Sequence, residues 1–148
     1  MSLAQHTDDA LRYRQQEENS EAYVIPFIEE KFPVTPGLRV MEIGCGEGGV
    51  LAPFLKRGCH CVGVDLVAAR IALAEQFLST YTASGQLRLI NQNIYELDFL
   101  GEFKGAFDLI ILKDAIEHIP EQAKLMGYLK DLLSPGGMVY LGFPPGYM

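Results

Sequence analysis

A chain of 148 residues, 49% of them hydrophobic, is long enough to bury one sizeable core and falls in the size range of a single domain. Its net charge of -7 supplies no electrostatic footprint for a nucleic-acid backbone, and apolar runs such as residues 107–112 are far short of the ~20 residues that cross a bilayer. With no charged-then-apolar signal pattern at the amino terminus, the expectation is a soluble cytoplasmic protein with neither nucleic acid nor membrane as a partner.

In chain order, residues 8–32 are polar with apolar positions at near-helical spacing and a proline at Pro26, which predicts one kinked helix or two short ones. Pro33 and Pro36-Gly37 mark a turn before a first strand over residues 38–43 that ends in glycines. A helix over 50–57 closes at Gly58, and a second strand over 60–64 ends at Asp65. Within it, Cys59-His60-Cys61 alternates, sending both thiols to one face and His60 to the other. Buried strand cysteines are expected there rather than a metal site.

Residues 67–81 predict a helix with Ala68, Ile71, Ala72 and Leu78 on one side, stopped by Ser84-Gly85. A third strand covers 87–90, and a fourth covers 107–112, apolar enough to be buried on both faces. A helix over 121–133, a turn at Ser134-Pro135-Gly136-Gly137 and a fifth strand over 138–143 complete the series. Strands separated by helices imply βαβ units, hence an α/β fold built on an open, doubly wound, mostly parallel sheet. Ligands of such sheets bind outside the carboxyl ends of the strands.

The strongest local feature lies at one of those ends: Glu42-Ile43-Gly44-Cys45-Gly46-Glu47-Gly48-Gly49. Glycine takes backbone angles closed to other residues and keeps no side chain between the backbone and a ligand. Gly44, Gly46 and Gly49 also satisfy the GxGxxG spacing of dinucleotide sites. Glu42 separates the two readings, because a carboxylate there repels a pyrophosphate but suits an ammonium. Asp65, at the end of the second strand, can accept both hydroxyls of a ribose in either case.

With the Phe107-Asp108-Leu109-Ile110-Ile111-Leu112-Lys113-Asp114 strand and the Leu133-Ser134-Pro135-Gly136-Gly137 turn added in order, residues 39–143 resemble a class I S-adenosylmethionine (SAM) dependent methyltransferase. The similarity is to the small-molecule branch with a Glu-His pair after strand four. It implies a Rossmann-like core over 37–148, a helical lid over 1–36, and SAM as cofactor with S-adenosyl-L-homocysteine as product. Residues matching Glu42, Gly44, Cys45 and Gly46 surround the methionine end in that family, and the one matching Asp65 holds the ribose. Leu66 would pack on adenine, with Asn93 accepting its amino group beside Ile94, where the family usually has an acidic residue. Lys113 would lie beside the cofactor through its backbone, or be a solvated strand-end charge.

Asp114 and His118 are the candidate catalytic residues. His118 is either a general base near an acceptor hydroxyl or a hydrogen-bonded tie between strand four and the next helix. Asp114-x-x-Glu117-His118 is similar to the Glu-x-x-Glu-His metal site of small-RNA 2′-O-methyltransferases and some quinone-pathway O-methyltransferases. Asp replaces its first Glu and no later histidine follows, so no metal is expected. The Asn-Pro-Pro-aromatic tetrad of enzymes acting on planar amino groups is absent after strand four; Pro144-Pro145-Gly146-Tyr147 follows strand five instead.

Tyr13, Arg14 and Gln15 are either lid residues facing the cofactor or members of a solvated helix face. Strands six and seven of the resembled fold are not found, which suggests a truncated chain and a possible homodimer along the strand-five edge. The reading is a SAM-dependent methyltransferase of a small-molecule acceptor at oxygen. The alternatives are a NAD(P)-binding oxidoreductase domain and a non-catalytic module of the same fold.

Overall fold

The computed structural model describes residues 3–95, 99–113 and 122–142. The chain opens on a long helix, α1 (Leu3–Asn19), runs through one π-helical turn (Ser20–Val24) and continues as α2 (Ile25–Glu29). Pro26 stands in the first turn of α2. A proline has no N–H to give and its ring crowds the carbonyl four residues back, and the wider π turn precedes that position. The predicted interruption is therefore a change of helix type in an unbroken helical path.

Five strands follow: β1 (Arg39–Ile43), β2 (His60–Asp65), β3 (Leu87–Asn91), β4 (Phe107–Lys113) and β5 (Leu133–Gly142). They form one sheet in the order β3-β2-β1-β4-β5, every pair parallel. From β1 the chain steps outward to β2 and β3, then returns to β1's other side for β4 and β5. The direction of winding thus reverses between β1 and β4. The crevice at the carboxyl ends of those two strands is where such a sheet takes ligands.

The helical connections are α3 (Ala52–Lys56), α4 (Ala68–Phe77), α5 (Ser79–Ser84), α6 (Phe99–Phe103) and α7 (Gln122–Leu132). Strand alternation divides the core in two. Val40, Leu109 and Ile111 face Ile25, Ile28, Phe54, Leu55 and Leu78, while Met41, Ile43, Ile110 and Leu112 face Leu125, Leu129 and Leu132 of α7. Covering both faces accounts for the unbroken Leu109-Ile110-Ile111-Leu112 run. Cys59 and Cys61 both lie in the first cluster and His60 is exposed, as alternation requires.

Four local expectations need correction. The predicted 67–81 helix breaks at Leu78, whose φ of -119° leaves the helical range. Leu78 is buried, and so are Leu73 and Ala74, whereas Ala68 and Ala72 face solvent. Helix α6 has no counterpart in the sequence reading. The Ser134-Pro135-Gly136-Gly137 turn lies inside β5: Phe107 pairs with Leu133 and Leu109 with Met138, so the turn is looped out between two stretches of one pairing. Among the described residues no helix is long and apolar enough to cross a membrane.

Candidate functional site

Glu42 is the fourth residue of β1, paired with Gly63 of β2 on one side and Ile111 of β4 on the other. That central position buries its side chain to 2% exposure. After Ile43 the backbone turns through Gly44 (φ +77°), Gly46 (φ +54°) and Gly48 (φ +88°), left-handed angles that glycine takes without strain. The Gly44 and Cys45 amides donate to the Val64 carbonyl at 2.7 and 3.1 Å, which pins the turn to the end of β2. Gly44 is exposed at the rim. Gly46 is not crowded: a Cβ there would make only ordinary contacts, with the Arg70 guanidinium and the Gln16 amide nitrogen, each at 3.9 Å.

Asp65 closes the other side. One carboxylate oxygen accepts the Gly46 amide at 2.9 Å and the other accepts the Val67 amide at 2.8 Å. A carboxylate offers about four acceptor positions, so each oxygen keeps one for a further donor. Leu66 follows with 68% of its surface exposed. Asn91 reaches back to donate to the Asp65 carbonyl at 3.0 Å, and Asn93 Oδ1 accepts the Tyr95 amide at 2.9 Å. That bond takes one of the acceptor positions the sequence reading gave to an adenine. Ile94 points its side chain into the second core cluster, which leaves its backbone for any contact at the rim.

Lys113 ends β4 opposite Gly142. Asp114, Glu117 and His118, together with Pro144-Pro145-Gly146-Tyr147, lie outside the described residues.

Three residues found at the turn were not singled out in the sequence. Glu47 is 2% exposed and accepts from Arg12 Nε and Gln16 Nε2, both at 3.1 Å. Its burial raises the carboxyl pKa, but its own backbone amide, Gln16 and Arg12 outweigh that and hold it below the usual range. Arg12 also bonds the buried Asp9. On a helix, positions 9, 12, 13, 16 and 20 share one face, and Ser20 continues it by donating to the Val50 carbonyl at 2.7 Å. Arg14 and Gln15 are exposed, and Tyr13 stacks on Phe77 at 4.6 Å between ring centroids. The i, i+4 spacing of Arg12 and Gln16 was the available signal.

The turn holds more carboxylates than cations: Glu42, Glu47 and Asp65 stand against Arg12, which bonds Glu47, and Arg70, whose guanidinium lies near Gly46. Burial pushes the Cys45 thiol far up, and the carboxylates of Glu42, Asp65 and Glu47 all push the same way. A pyrophosphate would meet this negative field. Nor does a helix amino terminus face the turn: successive i to i+3 bonds lead from Cys45 to Ala52 before the five-residue α3 begins. Both observations oppose dinucleotide binding.

Residues 11–144 match the family described as methyltransferase domain. The chain belongs to this family. Its sheet and flanking helices are the Rossmann-like fold of class I SAM-dependent methyltransferases. Among curated relatives of this methyltransferase domain, the ubiquinone biosynthesis O-methyltransferase of Leptothrix cholodnii is 28% identical over 115 residues, 78% of this chain and 48% of that protein. Its counterpart in Xylella fastidiosa is 32% identical over 118 residues, 79% of this chain and 46% of that one. The chain thus spans about half the length of these curated relatives. The phosphoethanolamine N-methyltransferase 2 of Haemonchus contortus, solved with phosphomonomethylethanolamine and S-adenosylhomocysteine, superposes with a TM-score of 0.71. It shares 25% identity over 85% of this chain and 28% of that one.

Proposed function

We propose that this domain transfers a methyl group from SAM to an oxygen of a small-molecule acceptor. The observation that carries the donor assignment is the negative field of two buried carboxylates, Glu42 and Asp65, beside the glycine turn. That field suits a ligand bearing a sulfonium and an ammonium. Glu42, Gly44, Cys45 and Gly46 would hold the methionine end, Asp65 the ribose through its remaining acceptor positions, and Leu66, Asn93 and the Ile94 backbone the adenine. Lys113 would close the site from β4. The cofactor supplies a methyl carbon already activated by the sulfonium, so the protein's task is alignment and exclusion of water.

Cys45 bears on that task. A thiolate beside a methyl donor would be a competing nucleophile; the buried thiol, far above its ordinary pKa, stays protonated. Helix α1, as a lid over the turn, would shield the donor. His118 is the proposed general base for an acceptor hydroxyl, and Asp114 is the second proposed catalytic residue. An oxygen acceptor is supported by the names of the relatives from Leptothrix and Xylella. A cytoplasmic location, and a homodimer paired along β5, the outer strand of the described sheet, belong to the same reading; sedimentation of the purified protein checks the latter.

Calorimetric titration with S-adenosylhomocysteine and, separately, NADH tests the donor site. Binding of the first and not the second is expected. Asp65→Ala removes two charge-assisted bonds to the ribose and should weaken S-adenosylhomocysteine about a hundredfold. Binding of NADH alone overturns the reading.

A further inference from the structure

We propose that Glu47 is a positioning residue that latches α1 onto the glycine turn and so shapes the donor site without touching the donor. The proposal rests on the reading that the turn holds the donor.

Among the described side chains of α1, apolar packing against the core is sparse. Leu11, Arg12, Arg14, Gln15 and Glu18 are exposed, and Tyr13 on Phe77 is the ring contact that anchors it. The remaining hold is polar: Glu17 pairs with Lys56 at 3.0 Å, and two further contacts converge on one side chain. Glu47 Oε1 accepts from Arg12 and Oε2 from Gln16, which uses both carboxylate oxygens on two successive turns of the helix. Gln16 so placed turns its own carbonyl oxygen to the Gly49 amide, which donates to it at 3.2 Å. The fit is close: a Cβ on Gly49 would stand 2.5 Å from both Gln16 Cβ and the Tyr13 carbonyl. The same Gln16 amide nitrogen lies 3.9 Å from where a Gly46 Cβ would stand. The backbone between Gly46 and Gly49 is therefore clamped between β2, through Asp65, and α1, through Glu47.

Arg12 strengthens the latch by joining two buried carboxylates, Asp9 and Glu47, from a side chain that is itself 55% exposed. Removing its guanidinium leaves both carboxylates buried without it, which favours an opened helix. Removing Glu47 takes one bond from Arg12 and one from Gln16 at once. In each case the loss falls on α1 first and on the donor second.

Hydrogen exchange of residues 8–16 in the protein without cofactor reads the first effect, and calorimetry with S-adenosylhomocysteine the second. In Glu47→Ala, and independently in the surface-mild Arg12→Ala, exchange of these amides should quicken about tenfold and the S-adenosylhomocysteine Kd should rise about tenfold. Glu47→Gln keeps one acceptor oxygen and should recover part of both. Unchanged exchange in folded Arg12→Ala overturns the latch, and so does loss of S-adenosylhomocysteine in Glu47→Ala with exchange unaltered, since Glu47 would then act on the donor directly. Faster exchange in a protein that binds no S-adenosylhomocysteine even unmutated upholds the latch and overturns the donor reading alone. Should Glu47→Ala fail to fold, Arg12→Ala carries the test.

Discussion

Gly63 stands in the middle of β2 with no room for a side chain. A Cβ would meet Cys45 Sγ at 2.9 Å and Leu89 Cδ2 at 3.0 Å. The strand can thus lie close under the glycine turn only because this residue has no side chain. Gly63→Ala should destabilise the domain by about 1–3 kcal/mol in urea denaturation, the usual cost of overpacking. Adding Cys45→Ala should recover part of that loss and not all, because Leu89 remains. At this scale the sequence was informative for backbone-defined positions. Glu42, the glycines and Asp65 are fixed by where strands end, and strand ends can be read from composition. Arg12 and Gln16 were missed in favour of Tyr13, Arg14 and Gln15 because facing the turn depends on how α1 is rotated about its axis. That rotation is set by contacts with Glu47, Gly49 and Phe77, which lie 31 to 64 residues away along the chain and leave no local mark.

Between elements, the amino ends of three strands are tied by one carboxylate. Asp108 accepts from the Arg39 amide at 2.9 Å, from the Arg39 guanidinium at 3.0 and 3.3 Å, and from the Ser134 hydroxyl at 2.7 Å. Partial burial raises its pKa, but the bonds from Arg39 and Ser134 outweigh this and leave it below the ordinary value. A lowered folded-state pKa means that the stabilisation is complete above the unfolded carboxyl pKa of about 3.9 and is lost as pH falls through the folded value. Asp108→Asn should therefore cost about 1 kcal/mol at neutral pH, a modest figure because Arg39 is half exposed. Its deficit relative to the parent should shrink below about pH 4. Urea midpoints across that range check both statements. Helices α3 and α4 were legible in place and not in length. Residues 44–51 form the turn region where a helix from 50 was expected, and Leu78 leaves the helical range to enter the core. Both are choices made by packing, against which local propensity is a weak guide.

The molecule as a whole is a sheet buried on both sides, and this much the alternation of apolar runs made plain. Ile110 and Ile111 are adjacent and face opposite layers, yet both are fully buried. Ile110→Ala and Ile111→Ala should each cost about 2–5 kcal/mol; thermal or chemical denaturation that shows one of them near zero would mean that its layer is not closed.

The looped segment inside β5 has a further consequence. Between Leu133 and Met138 the strand carries more residues than the partner stretch from Phe107 to Leu109 can pair with. Pro135 and Gly136 are exposed, with nothing within 4 Å of where a Gly136 Cβ would stand. A Cβ on Gly137 would stand only 3.0–3.1 Å from the carbonyls of Phe107, Ser134 and Asp108. Slack therefore gathers at one spot, ahead of a fixed stop. In geometric terms the segment is an expansion joint: the unhindered residues Pro135-Gly136 precede the run from Met138 to Gly142 that is paired with β4.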